Sequence, residues 1–140
     1  MKNRNAACSC GRLQLVASGD PVRISVCHCL ACQRRTGSVF GEQARFPADA
    51  IAIRGTAARY VRTADSGTKI SYYFCPNCGS TVYYQSQDQQ DLIAVPVGAF
   101  ADPDFPMPTQ ADSGAEKHCW IEFPDGIDVH PQNPASKTAV

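Results

Sequence analysis

Seven of the eight cysteines in this 140-residue chain fall into tight groups, Cys8-x-Cys10, Cys27-x-Cys29-x-x-Cys32 and Cys75-x-x-Cys78, and Cys119 stands alone. Thiols so spaced bind metal, cycle as a redox dithiol, or close disulfides. The basic start MKNRNAACSCG leads into no apolar run of secretory type, and nowhere do about 18 apolar residues run together. The expectation is therefore a cytoplasmic protein. Disulfides are rare in that reducing compartment, which leaves metal binding, catalysis or burial as the use for eight thiols.

Zinc asks for tetrahedral ligands with Zn–S near 2.3 Å, which sets neighbouring sulfurs about 3.8 Å apart. On a strand, residues i and i+2 share a face, so Cys8 and Cys10 can present two sulfurs to one ion. A C-x-x-C needs a turn instead. FCPNCGS at 74–80 supplies one, because Pro76 presets the first turn position and Gly79 can adopt positive φ under the sulfurs. Gly11 follows Cys10 in the same way. These two pairs predict a closed, structural zinc site of Cys8, Cys10, Cys75 and Cys78, tying the first strand to a late hairpin. A thioredoxin-like use of Cys75 and Cys78 would need a helix after the motif, whereas STVYYQ reads as a strand.

Cys27, Cys29 and Cys32 then form a second group with three ligands, two from a strand end and one from the following turn. A zinc held by three protein ligands keeps one exchangeable position, the arrangement catalysis requires. Three thiolates leave it a formal charge of about −1, which weakens it as a hydroxide generator and favours a soft ligand, an incoming thiol. Arg34 and Arg35 directly follow and are expected to offset that charge or hold a carboxylate of the ligand. Cys119, beside Trp120 and Ile121, is expected at a buried strand position and outside the site. His28 is expected to point away from the metal, in a surface or hydrogen-bonding role. His118 is the histidine worth testing as an acid or base.

The elements that must position these thiols are short β-type stretches: RLQLVAS, VRISVC, SVFGEQARF, AIAIRG, ARYVRT, KISYYFC, STVYYQ, DLIAVPV and HCWIEF. The alternation predicts Val22, Ile24 and Val26 on one face and Arg23 and Ser25 on the other. Helical period is confined to the neighbourhood of Ala31 to Arg35, so the fold is predicted all-β. Residues 101–116 read as an irregular, proline-rich loop, and 131–140 as a flexible tail. Lys plus Arg equals Asp plus Glu, 13 each, so the chain carries no overall field to attract nucleic acid. Only a local patch of Arg34, Arg35, Arg54, Arg59 and Arg62 could do so.

CSCG at 8–11, CHCLACQRRTGSVFG at 27–41 and FCPNCGSTVYY at 74–84, with PVGAFADPDF and KHCWIEF, resemble the glutathione-dependent formaldehyde-activating enzyme family, which includes centromere protein V. The resemblance implies a small zinc-stabilised β-tent of antiparallel sheets, with residues 1–130 as a single zinc-binding domain of that type. It implies two zinc ions, a structural one matching Cys8, Cys10, Cys75 and Cys78 and a catalytic one matching Cys27, Cys29 and Cys32. The implied activity joins glutathione to formaldehyde as S-hydroxymethylglutathione, a carbon–sulfur lyase reaction in reverse, with a glutathione-like thiol and a small aldehyde as partners and no membrane. Two alternatives remain from the residues: a noncatalytic zinc module binding protein or nucleic acid, and a thiol-based redox sensor.

Overall fold

The computed structural model describes residues 1–132, so the expected tail at 131–140 lies, from residue 133 on, outside the described residues. The strands are β1 (Asn3–Ala7), β2 (Gln14–Ser18), β3 (Arg23–Cys27), β4 (Gly41–Pro47), β5 (Ile51–Arg54), β6 (Ala58–Thr63), β7 (Lys69–Phe74), β8 (Thr81–Ser86), β9 (Leu92–Pro96), β10 (Gln110–Asp112) and β11 (Asp128–Val129). One α-helix, α1 (Leu30–Thr36), follows β3. The fold is all-β, as the alternation predicts. Three strands form a small sheet in the order β1-β2-β5, and eight form a large one in the order β11-β10-β3-β4-β9-β8-β7-β6. Pairing is antiparallel except at one edge, where β10 runs parallel to both β3 and β11.

Each sheet buries one row of apolar side chains against the other. Ala6, Leu13, Leu15 and Ala17 from the small-sheet side meet Ile24, Ala44, Phe46, Val82, Val95 and Phe100. A second cluster of Cys27, Cys32, Ile70, Tyr72, Tyr84 and Ala94, with Cys29 and Ala64 against it, is built around α1 and the strands β7, β8 and β9. The two thiol groups divide between these cores, since Cys8 and Cys75 belong to the first. At the β5–β6 turn, a Cβ on Gly55 would collide with the Arg12 carbonyl oxygen, and φ there is +101°. Only glycine lets that turn pass so close to the loop carrying Cys8 and Cys10.

Four expectations change. β1 is absent from the sequence reading because NRNAA is polar, yet Arg4 and Ala6 are buried and Arg4 pairs with Asp20 at 3.0 Å. Val22 does not share the covered face expected for it with Ile24 and Val26, and the opposite face at Ser25 is covered as well. Ser25 is fully buried and accepts from Gln43 Nε2 at 3.0 Å and Arg45 Nη1 at 3.2 Å, whereas Val22 is exposed ahead of β3. Within 101–116, expected to be irregular, lie β10 and a 3-10 turn over Gly114–Glu116. HCWIEF forms no strand: the Ile121 N–H donates to the His118 carbonyl at 3.1 Å, and Lys117 Nζ donates to the carbonyls of His118 and Ile121 at 3.2 and 2.6 Å. Cys119 is consequently exposed in a turn, and Trp120 is exposed beside it.

Candidate metal centres

Cys8 and Cys10 sit in the turn between β1 and β2, and Cys75 and Cys78 in the turn between β7 and β8. The first pair is thus held by a turn and not by a strand. Each turn closes on its leading cysteine. Gly11 N–H donates to the Cys8 carbonyl at 3.1 Å and Cys8 N–H to the Leu13 carbonyl at 2.9 Å; Gly79 N–H donates to the Cys75 carbonyl at 2.8 Å and Cys75 N–H to the Ser80 carbonyl at 3.0 Å. Gly11 and Gly79 have nearly equal φ, +79° and +81°, a region side chains disfavour. A register shift between Tyr73 and Phe74, just before the second turn, is a bulge that re-aims the hairpin end. Ser9 Oγ and Ser80 Oγ, 2.9 Å apart, link the two turns.

This brings Cys10 Sγ within 3.6 Å of Cys8 Sγ and 3.6 Å of Cys75 Sγ, and all four sulfurs within 4.8 Å of one another. Those separations fit the roughly 3.8 Å edge of a four-thiolate zinc tetrahedron. Backbone N–H groups of Leu13 and Asn77 point at Cys8 Sγ and Cys75 Sγ at 3.2 and 3.4 Å. The Cys78 thiol is drawn down to about 5, first by the Ser80 N–H and then by that of Cys10. Cys10 is lowered too, chiefly by the Asn77 side chain. Cys10 and Cys78 are exposed, so the site lies at the surface.

Cys27, Cys29 and Cys32 gather inside the second core. Cys27 ends β3, Cys29 is the N-cap of α1 and accepts from the Cys32 N–H at 3.3 Å, and Cys32 sits in the first helical turn. The expected pair at a strand end becomes one strand residue and one helix cap. All three sulfurs lie within 4.8 Å, and among the described residues no histidine, aspartate, glutamate or fourth cysteine joins them. Hydrogen bonds from Cys27 and Cys32 draw Cys29 down to about 2. Cys27 is raised, first by its bond to Cys29. Cys32 is lowered by its bond with Cys27, yet its bond to Cys29 and burial carry it to about 11. A bound cation would ionise the thiols that hold it. Each cysteine cluster can hold a metal ion.

Gly41 faces Cys27 across β3 and β4, and a Cβ there would stand 3.1 Å from Arg35 Nη2 and 3.6 Å from Cys32 Cβ. Its missing side chain lets α1 lie against the sheet. Segment 113–118 ties the helix from outside: Glu116 Oε2 accepts from the Leu30 N–H at 2.9 Å, and Ser113 Oγ is 3.9 Å from Cys27 Sγ. His28 contradicts the surface or hydrogen-bonding role expected of it. It is fully buried, packs on Phe40 and Phe123 with ring centroids 5.7 and 5.3 Å away, and neither ring nitrogen has a hydrogen-bond partner. Burial pushes its pKa down, so it packs as a neutral ring. His118 is exposed, with Nε2 3.3 Å from Gln33 Oε1 on the outer side of α1.

Arg34 is exposed, while Arg35 folds back over the rings of Tyr72 and Tyr84 at 5.3 and 5.1 Å. Burial opposes the charge on Arg35, and Tyr84, Cys32 and Tyr72 outweigh that and hold the guanidinium protonated. The spacing of the motif gives no sign of Arg62, Tyr72 or Tyr84. Alternation along β6 and β7 places Tyr72 on the thiol side, and only the register of Arg62 with Ile70 and of Tyr72 with Tyr84 would have located the rest.

A sequence model of the glutathione-dependent formaldehyde-activating enzyme family matches residues 3–122. No curated protein matches the chain. Among solved structures, a Rhodobacter sphaeroides protein determined by structural genomics is similar in fold, with a TM-score of 0.52 at 18% identity over 73% of this chain and 90% of that one.

Proposed function

The chain belongs to the glutathione-dependent formaldehyde-activating enzyme family, and from that premise we propose that it is a two-zinc enzyme of the carbon–sulfur lyase type, joining a glutathione-like thiol to formaldehyde or a related small aldehyde. The observation that carries the reading is the convergence of Cys27, Cys29 and Cys32 as a three-sulfur set that no histidine, aspartate, glutamate or fourth cysteine among the described residues joins. Cys8, Cys10, Cys75 and Cys78 would hold the structural ion, and their separations fit a closed tetrahedron. At the three-thiolate site, bound zinc supplies an open coordination position that lowers the pKa of an incoming thiol.

The chain's own residues do the rest. Cys29, as a helix cap, and Cys32, three residues on, are fixed relative to each other by the Cys32 N–H bond, and Cys27 is fixed by β3. The ligand position is therefore preorganised by backbone. Arg35, held against Tyr72 and Tyr84 beside Cys32, offsets the negative charge of three thiolates. In the reaction a sulfur–carbon bond forms, the carbonyl π pair moves to oxygen, and that oxygen takes up the proton the thiol released.

The test is metal quantification combined with binding. The chain should carry two zinc ions, and in the cobalt-substituted protein glutathione should change the sulfur-to-metal charge-transfer absorption with one equivalent bound. Two metals with a spectrum indifferent to glutathione would remove the thiol-binding role and leave a noncatalytic zinc module.

A further inference from the structure

Arg34, Arg35 and Arg62 line a cleft of about 600 Å³, shared with Tyr60, Tyr72 and Thr81. No carboxylate among the described residues lines it. Among the described residues the ion pairs are Arg4–Asp20 and His130–Asp128, so none of these three arginines is paired with a carboxylate, although Arg35 and Arg62 both stand near the cysteine thiols. Three cations facing one cavity without a carboxylate partner favour a ligand that brings one. A cleft of this size also exceeds what a single aldehyde or a small alkyl thiol needs.

The three arginines are not equivalent. Arg35 is committed inward: its guanidinium covers two tyrosine rings and bonds with Cys32, and a Cβ at Gly41 would touch it. Arg62 comes from the other direction, on β6 at the sheet edge, where it bonds with Tyr72 and its Nε is buried without a partner. Arg34 is exposed on α1. Arg62 and Arg34 thus bring charge to the cleft from two separate elements, with the thiol cluster behind Arg35.

We propose that Arg62, with Arg34, anchors a carboxylate of the thiol ligand and selects among thiols by charge, whereas Arg35 serves the cysteine thiolates. The ligand class is an extended thiol with a carboxylate several bonds from its sulfur. Its sense as substrate selection rests on the thiol-binding role proposed for Cys27, Cys29 and Cys32, but the anchor is tested apart from it. A guanidinium suits the task because it can grip both carboxylate oxygens, a charge-assisted pair of bonds that an ester cannot make.

Calorimetric titration of the zinc-loaded full chain with S-methylglutathione, which keeps both carboxylates and has no free thiol, isolates the anchor. Arg62→Met should weaken binding at least tenfold, Arg62→Lys should recover part of it, and the diethyl ester should bind weakly and alike to wild type and Arg62→Met. Unchanged zinc content and circular dichroism in the variants show that the fold is intact. Equal binding of acid and ester by wild type, no binding of the acid, or equal affinity in wild type and Arg62→Met would each overturn the anchor. Glutathione itself separates the two ideas. If it binds no tighter than S-methylglutathione while the Arg62 effect persists, the thiol-binding role fails and the anchor stands; if it binds tighter but ignores Arg62, the reverse holds.

Discussion

The two thiol clusters differ in a way opposite to their expected roles. The four-sulfur cluster, complete in ligands, lies at the surface with Cys10 and Cys78 exposed; the three-sulfur cluster, incomplete, lies within a core where Cys27 and Cys32 are fully buried. With zinc in both clusters, enclosure of the ion would be set by ligand count, and burial would follow a different need. Four thiolates on two turns satisfy a cation without help and can be left in water. Three would not, and a half-buried arginine, two buried tyrosines and a helix cap stand beside them.

The largest test of that contrast replaces one ligand in each cluster. Cys78→Ser should abolish the cooperative fold, because the ion would join two turns that otherwise meet through the Ser9–Ser80 contact, and structural zinc in small domains is worth about 10 kcal/mol or more. Cys29→Ser should leave a folded protein with about one zinc fewer. Circular dichroism and metal content read both outcomes, and equal unfolding would mean that neither ion is exchangeable.

A chelator sharpens the same comparison with the wild-type protein. One equivalent of zinc, from the three-thiolate site, should leave first and without unfolding, since an open position admits the competing ligand. Glutathione should slow that release, as measured with a chromogenic chelator. Loss of both ions in one step, together with the fold, would erase the distinction drawn between the sites.

His28 offers a smaller perturbation at the inner cluster. Removing a buried ring whose nitrogens have no partner relieves an unmet polar cost, so His28→Leu should be neutral or stabilising by about 1 kcal/mol with two zinc ions retained. The ring's pKa is lowered in the folded state, so its contribution is intact above the unfolded histidine value, about 6.5, and is lost as pH falls below it. The variant should flatten that acid limb in thermal melts across pH. A drop to one zinc would instead make His28 a ligand.

Much of this was legible in the residues. Pro76 and Gly79 announced the second turn because φ preferences are local, and the thiol pairing followed from ligand arithmetic. β1 escaped because its burial alternates Arg4 with Ala6, and an arginine made acceptable by Asp20 leaves no apolar pattern to read. Val22 and Cys119 went the wrong way for a related reason. Which face of a strand is covered, and whether HCWIEF pairs at all, depends on segments far along the chain, among them β10 and the Lys117 contacts. Arg62 was counted in the arginine patch, but its place beside the thiols was beyond reach because it meets that region only through the β6–β7–β8 register.

The mildest change is the same substitution made once beside each cluster. At Gly41, a new methyl meets Arg35 Nη2 at 3.1 Å, the far end of a flexible side chain that can swing aside. Gly41→Ala should then cost little more than the stacking it disturbs on Tyr72 and Tyr84, about 1 kcal/mol, seen as a thermal midpoint a few degrees lower with both zinc ions in place. At Gly55 the obstacle is the Arg12 carbonyl, which is backbone, and φ is +101°. Gly55→Ala must move the loop that carries Cys8 and Cys10, so its cost should be several times larger and should appear as loss of metal from the four-thiol cluster. If Gly41→Ala proves the more damaging of the two, then the inner site, and not the surface one, is the place where this fold tolerates least.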